Sequence, residues 1–147
     1  MSGVSVATIR SRVAAALDTI EGWTESRHPP DRFGRDTSQL SHRCFAVAVP
    51  TTTADERRQR RSRGVVSSTT VDVHWSWRLR VDAVVPDTTE GLEAEELLTD
   101  AIFDVVNRDQ ITSITLTSAD RSSTDEGTYL VGRVRVRVVH RLPLILE

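Results

Sequence analysis

Thr69-Thr70-Val71-Asp72-Val73-His74-Trp75-Ser76-Trp77-Arg78-Leu79-Arg80-Val81-Asp82-Ala83-Val84-Val85 is the stretch on which the fold turns. Val71, Val73, Trp75, Trp77, Leu79, Val81 and Ala83 alternate with Thr70, Asp72, His74, Ser76, Arg78, Arg80 and Asp82. Successive side chains of a strand point to opposite faces, so this strict period of two predicts one apolar and one polar face. Strands most often run to about five or six residues. One this long is expected to project beyond its own sheet, into a hairpin arm or a neighbour.

Upstream, the apolar run Cys44-Phe45-Ala46-Val47-Ala48-Val49, stopped by Pro50, predicts a strand buried on at least one face. Between the two strands lies 51–64, with Arg57, Arg58, Arg60, Arg61 and Arg63. Like charges so close repel one another and nothing apolar offsets their ordering, so an exposed, flexible basic loop is expected there. Val6, Ile9, Val13, Leu17, Ile20 and Trp23 recur at steps of three and four and predict an amphipathic helix, with Ser5 as N-cap and Gly22 as its stop. The polar segment 25–41, with Pro29-Pro30 and Gly34, reads as a flexible connection.

Downstream, Pro86 and Asp87-Thr88-Thr89 punctuate and cap a second helix striped by Leu92, Leu97, Leu98, Ala101, Ile102, Val105 and Val106. Glu90, Glu93, Glu95 and Glu96 in its opening turns complement the positive end of the helix dipole. Strands are expected at Ile111–Thr117 and Thr128–Leu142, joined by a polar turn at Asp120–Gly127. The predicted fold is a single α+β domain over 1–147. It has a mainly antiparallel four-stranded sheet and two helices on one face, in the order α-β-β-α-β-β.

Composition narrows the function. The chain has 147 residues, 38% hydrophobic and only 5% aromatic, and a formal net charge of −2. Every positive side chain is Arg, whose planar fork suits bidentate pairing with carboxylates or phosphates. A single cysteine, Cys44, allows neither an intrachain disulfide nor a thiolate cluster. No signal peptide or membrane-length apolar run is visible, so a soluble protein made in the cytoplasm is expected.

Catalytic chemistry needs groups that can meet. His28, His42, His74 and His140 are scattered; His42-x-Cys44 would point one way on a strand, but no second pair completes a metal site. Cys44 heads the most apolar run, which suits a core thiol rather than a nucleophile. The seven glycines form no phosphate loop. No enzyme activity, metal or cofactor is expected. Arg133, Arg135 and Arg137 share one face of the last strand, with Arg78 and Arg80 on the long strand. They could meet acidic residues of another subunit, form a plain wet face, or track phosphates. The last is disfavoured by the missing aromatic interleaving.

The whole pattern resembles a known family. An N-terminal amphipathic helix is followed by the strand Arg43–Pro50, a charged loop, a long strand with the core Trp75-Ser76-Trp77-Arg78-Leu79-Arg80, a helix and a closing strand. In element order, size and strand style this resembles the tail terminator, or tail completion, proteins of long-tailed bacteriophages and phage-derived tail-like particles. The likeness covers nearly the whole chain and has no diagnostic motif; the Pro-containing segment and the Arg-dense loop are foreign to the family pattern. The resemblance implies a non-enzymatic virion protein of the tail neck, forming a hexameric ring. Such a ring caps the tail tube, stops its polymerisation and faces the head connector protein. Arg78, Arg80, Arg133, Arg135 and Arg137 would then contribute to subunit or tube contacts. Arg57, Arg58, Arg60, Arg61 and Arg63 would order on assembly, with DNA in the lumen as a passive contact. A head–tail connector or other tail component is the sibling reading, and a nucleic-acid-binding accessory domain the alternative of another class.

Overall fold

A computed structural model describes residues 3–26, 40–54, 65–79, 88–105, 111–124 and 128–142. Along the chain come helix α1 (Val6–Asp18), strands β1 (Thr24–Glu25), β2 (Cys44–Ala54) and β3 (Val65–Arg78), helix α2 (Thr89–Asp104), and strands β4 (Ile111–Ser123) and β5 (Tyr129–Leu142). They form one sheet in the order β1-β2-β3-β5-β4. β1 is parallel to β2, and the β2–β3, β3–β5 and β4–β5 pairs are antiparallel. The chain leaves β3, passes through α2 and returns at the far edge as β4, leaving the slot between for β5.

The α+β class stands, but the four-stranded sheet does not: the described sheet has five strands and is mixed. The added strand is two residues long, too short for any alternation to mark it. Backbone bonds create it, Thr24 N–H donating to the Arg43 carbonyl at 3.0 Å and Ser26 N–H to that of Phe45 at 2.6 Å. It lies at the head of the segment expected to be a connection, of which 27–39 falls outside the described residues.

The inner face is built as the alternation requires. Phe45 and Val47, Val71, Val73 and Trp75, and Val134, Val136 and Val138 are buried together with Ile9, Val13 and Leu17 of α1 and Ala94, Leu98 and Ile102 of α2. The Ser5 hydroxyl accepts from Thr8 N–H at 3.1 Å and caps α1. The α2 stripe is rotated from the expected one: Leu92 and Leu97 lie 37% and 56% exposed, on the flanks of the Gly91–Ala94–Leu98–Ile102 row. At the Thr88 cap position no side-chain hydrogen bond forms.

Strand boundaries differ where polar residues hide the pattern. β2 continues through Pro50 to Ala54, because the register slips between Ala48 and Thr51. Proline is tolerated at such an irregularity, where its missing N–H breaks no ladder bond. β3 begins at Val65, four residues before the expected start, with Ser67 and Thr69 buried at inward positions. It ends at Arg78; 80–87 lies outside the described residues. β4 continues to Ser123, through the residues read as the start of a turn.

One close approach is required by residue type. Gly132 lies opposite Trp75 across β3 and β5. A Cβ there would stand 2.2 Å from the Trp75 indole, so only glycine leaves room for the largest core side chain.

Candidate functional site

Among the described residues, a concavity lies where the chain leaving α1, the end of β3 and the start of α2 converge. It is a groove of about 720 Å³, floored by Trp23, Trp77, Leu79 and Ala94 and flanked by Ile20 and Leu97. Glu21, Glu90, Glu93, His42, Arg43 and Arg78 supply its polar groups. Trp23 and Trp77 stand 6.3 Å apart with ring planes tilted by 36°, and the His42 ring meets Trp77 edge-on at 4.4 Å. The Arg43 guanidinium carbon lies 5.4 Å from the Trp77 ring centre, within reach of a cation–π contact.

A turn with unusual backbone geometry makes this cluster. Arg43 has φ +59°, a left-handed conformation uncommon for a residue with a Cβ. It is held by its N–H donating to the Ser76 carbonyl at 3.1 Å and by its carbonyl accepting from Thr24. Gly22 opposite has φ +87°, and a Cβ there would meet the Arg43 side chain. His42 therefore does not share a strand with Cys44. It sits in the turn before β2 and accepts at Nδ1 from the Arg78 N–H at 3.1 Å, while Cys44 is buried at the strand's first position. Burial, then the neighbouring charges of Arg43 and Arg78, lower the His42 pKa below its usual value, against an opposing pull from Glu90. Among the described residues no three His, Cys, Asp or Glu side chains group to hold a metal.

The arginine row lies on the sheet face away from the helices. Arg135 stands opposite Asp72 and grips it with two bonds, Nε–Oδ1 at 2.7 Å and Nη2–Oδ2 at 2.9 Å. That bidentate contact raises the pKa of Arg135. Arg133 stands opposite Asp120 and donates to it at 2.9 Å. Arg137 is exposed, with no ion-pair partner among the described residues. Arg78 is exposed at the groove rather than beside the row. Arg80, Arg57, Arg58, Arg60, Arg61 and Arg63 lie outside the described residues.

Two polar constellations escaped the sequence reading. Glu95, assigned there to the dipole-complementing acids of α2, is buried and takes a fork of bonds from Arg121 of β4 at 2.7–3.0 Å. That contact raises the Arg121 pKa and clamps the helix to the edge strand. At the other end of the core, His140 is fully buried. Its Nδ1–H donates to the Val4 carbonyl at 3.2 Å, which leaves Nε2 to accept from the Thr69 hydroxyl at 2.6 Å. The ring is thus a neutral structural bridge, and desolvation lowers its pKa.

The arrangement can bind: an apolar floor is rimmed by the carboxylates of Glu21, Glu90 and Glu93 together with His42, Arg43 and Arg78. No helix among the described residues is long and apolar enough to cross a membrane. Compared with known protein families and with characterised proteins, the sequence matches none.

Proposed function

We propose that this chain is a non-enzymatic assembly subunit, a tail terminator that forms a ring on the tail tube of a long-tailed phage or tail-like particle and joins it to the head connector. The observation that carries the reading is a long sheet whose flanking strands end uncovered. β3 and β5 have 14 residues each, about 46 Å of strand at ~3.3 Å per residue. Their inward residues are buried from Ser67 to Trp75 and from Leu130 to His140. Thr51–Ala54 of β2 and Ser122–Thr124 at the end of β4 are largely exposed, so both flanks of the sheet run on beyond their own cover. Exposed strand ends on the flanks of a long sheet are what a subunit uses when copies complete one another.

A phosphate-tracking role for the arginine row is weakened by its own geometry. Arg133 and Arg135 are neutralised by Asp120 and Asp72 within the chain, which leaves Arg137 as the exposed cation of that row. The test is assembly. Mass measurement of the purified protein by light scattering should give a closed oligomer. Added to polymerising tube protein, it should cap tubes and shorten them under the electron microscope. A protein that stays monomeric at high concentration and leaves tube length unchanged refutes the proposal.

A further inference from the structure

We infer that the groove between α2 and the edge strand β4 receives an extended basic segment of a partner protein, which joins the sheet as a further strand. β4 closes the sheet order, and among the described residues no strand pairs with its outer side. An edge strand presents a row of unpaired N–H and C=O groups, which proteins commonly blunt with charge, proline or a bulge. Ile111–Ala119 has neither a charge nor a proline. The register shifts of β4 fall before Ser113 and before Ser118, which leaves Ser118–Ser123 as its longest regular run. Both charges of that run are matched within the chain, Asp120 by Arg133 and Arg121 by Glu95. A strand laid along it therefore orphans no charge.

The side chains beside this edge specify the strand that fits. A groove of about 490 Å³ runs between α2 and β4. Three large hydrophobic residues are exposed among those described, and two of them line it, Leu92 at 37% and Leu116 at 46%. Leu116 and Ala119 stand opposite the buried Val136 and Val134, so they carry the apolar inner face past the last strand. The charged groups of the groove are Glu95, Glu96, Asp100 and Arg121. Three carboxylates and one guanidinium leave it with two net negative charges. The Glu95–Arg121 fork cancels one pair, and Arg137 lies on the other face of the sheet, opposite Thr115. Glu96 and Asp100, one helical turn apart and exposed, have no ion-pair partner among the described residues. Alternate side chains of an added strand share one face. On that face apolar residues cover Leu92 and Leu116, and basic ones meet Glu96 and Asp100, while main-chain bonds to β4 supply affinity.

The described edges of a second copy do not supply this chemistry. The exposed end of β2, Thr51–Ala54, is uncharged. Two β4 edges side by side would set Glu96 and Asp100 of one copy against those of the other. The inference goes beyond the ring reading and does not need it.

The probe is a capped nine-residue peptide with two valines and two arginines on one face and threonines on the other. Its control replaces the arginines with glutamates. Titrated into the full chain, the basic peptide should protect the amides of Ser118–Ser123 from hydrogen exchange. It should also bind about tenfold or more tightly than the acidic one. Glu96→Lys combined with Asp100→Lys should reverse that order. Both positions are exposed, so folding is kept, which circular dichroism checks. Leu116→Thr, which leaves a strand former at an exposed position, should weaken both peptides. Equal binding of the two peptides, a preference that does not reverse, or protection away from β4 overturns the inference. So does a basic peptide that fails to bind at millimolar concentration. β4 amides that are protected without peptide, and lose protection on dilution, mean that a second copy holds the groove and overturn it too. Light scattering on the same samples reads the ring separately. A closed oligomer that ignores the basic peptide leaves the ring reading standing, and a monomer that binds it leaves the groove standing alone.

Discussion

Single residues decide how tightly this sheet packs. Trp75 fits only because Gly132 opposite has no side chain, so Gly132→Ala should cost about 1–3 kcal/mol, as overpacked cores do. Urea denaturation measures it. Trp75→Phe in the Gly132→Ala background should recover part of the loss, since the ring shrinks and its buried, unpaired indole nitrogen is removed. His140 makes stability depend on pH. Its folded pKa is lowered from the ordinary 6.5 by burial, so the unfolded chain takes up the proton first as pH falls. Stability is complete above 6.5, declines as pH drops through that value, and levels off below the folded pKa. His42 and His74 are lowered by burial too and add to the same slope. Thermal melts between pH 7.5 and 5 should show the decline, and His140→Gln should flatten it. An unchanged slope would place the proton uptake on groups other than His140.

Elements are joined by a few charge-assisted contacts. The Glu95–Arg121 fork ties α2 to the edge strand β4, with Glu95 buried and Arg121 partly exposed. Glu95→Gln should cost about 1–2 kcal/mol, the range for a hydrogen bond to a charged group reduced by solvent around the guanidinium. A double-mutant cycle with Arg121→Gln should return most of that loss as coupling. Arg10 plays a related part for α1, its Nε donating to the Val47 carbonyl at 3.2 Å and its Nη2 to Glu25 at 2.9 Å. These elements show where sequence patterns were readable. The inward and outward faces of β3 and β5 follow from period two, and α1 with its Ser5 cap from period 3.6. The α2 stripe was read too wide, because Leu92 and Leu97 share its hydropathy but face outward. Glu95 could not be told from its acidic neighbours, since only the β4 strand beside it makes it different.

At the scale of the molecule, stability should be uneven. β3 and β5 are central, and their inward residues from Val71 to Trp75 and from Val134 to Val138 are fully buried. Their amides should exchange with solvent only on global unfolding, whereas Thr51–Ala54 and Thr117–Ser123 on the flanks should exchange by local opening. Hydrogen exchange read by mass spectrometry checks this. If copies assemble as proposed, the flank that meets a neighbour becomes protected, which identifies the interface without a mutation. Sequence by itself determined the α+β class, the long strands, the covered and uncovered faces, and the pairing chemistry open to an all-Arg set of cations. Each of these depends on periodicity or residue type, which one strand or helix displays alone. Tertiary structure alone decided the fifth strand, the burial of Glu95 and His140, and the intrachain pairing of Arg133 and Arg135. It also gathered Trp23, His42, Arg43 and Trp77 into one groove. Those four residues come from three separate segments and meet only because a left-handed turn at Arg43 folds one segment against the other two.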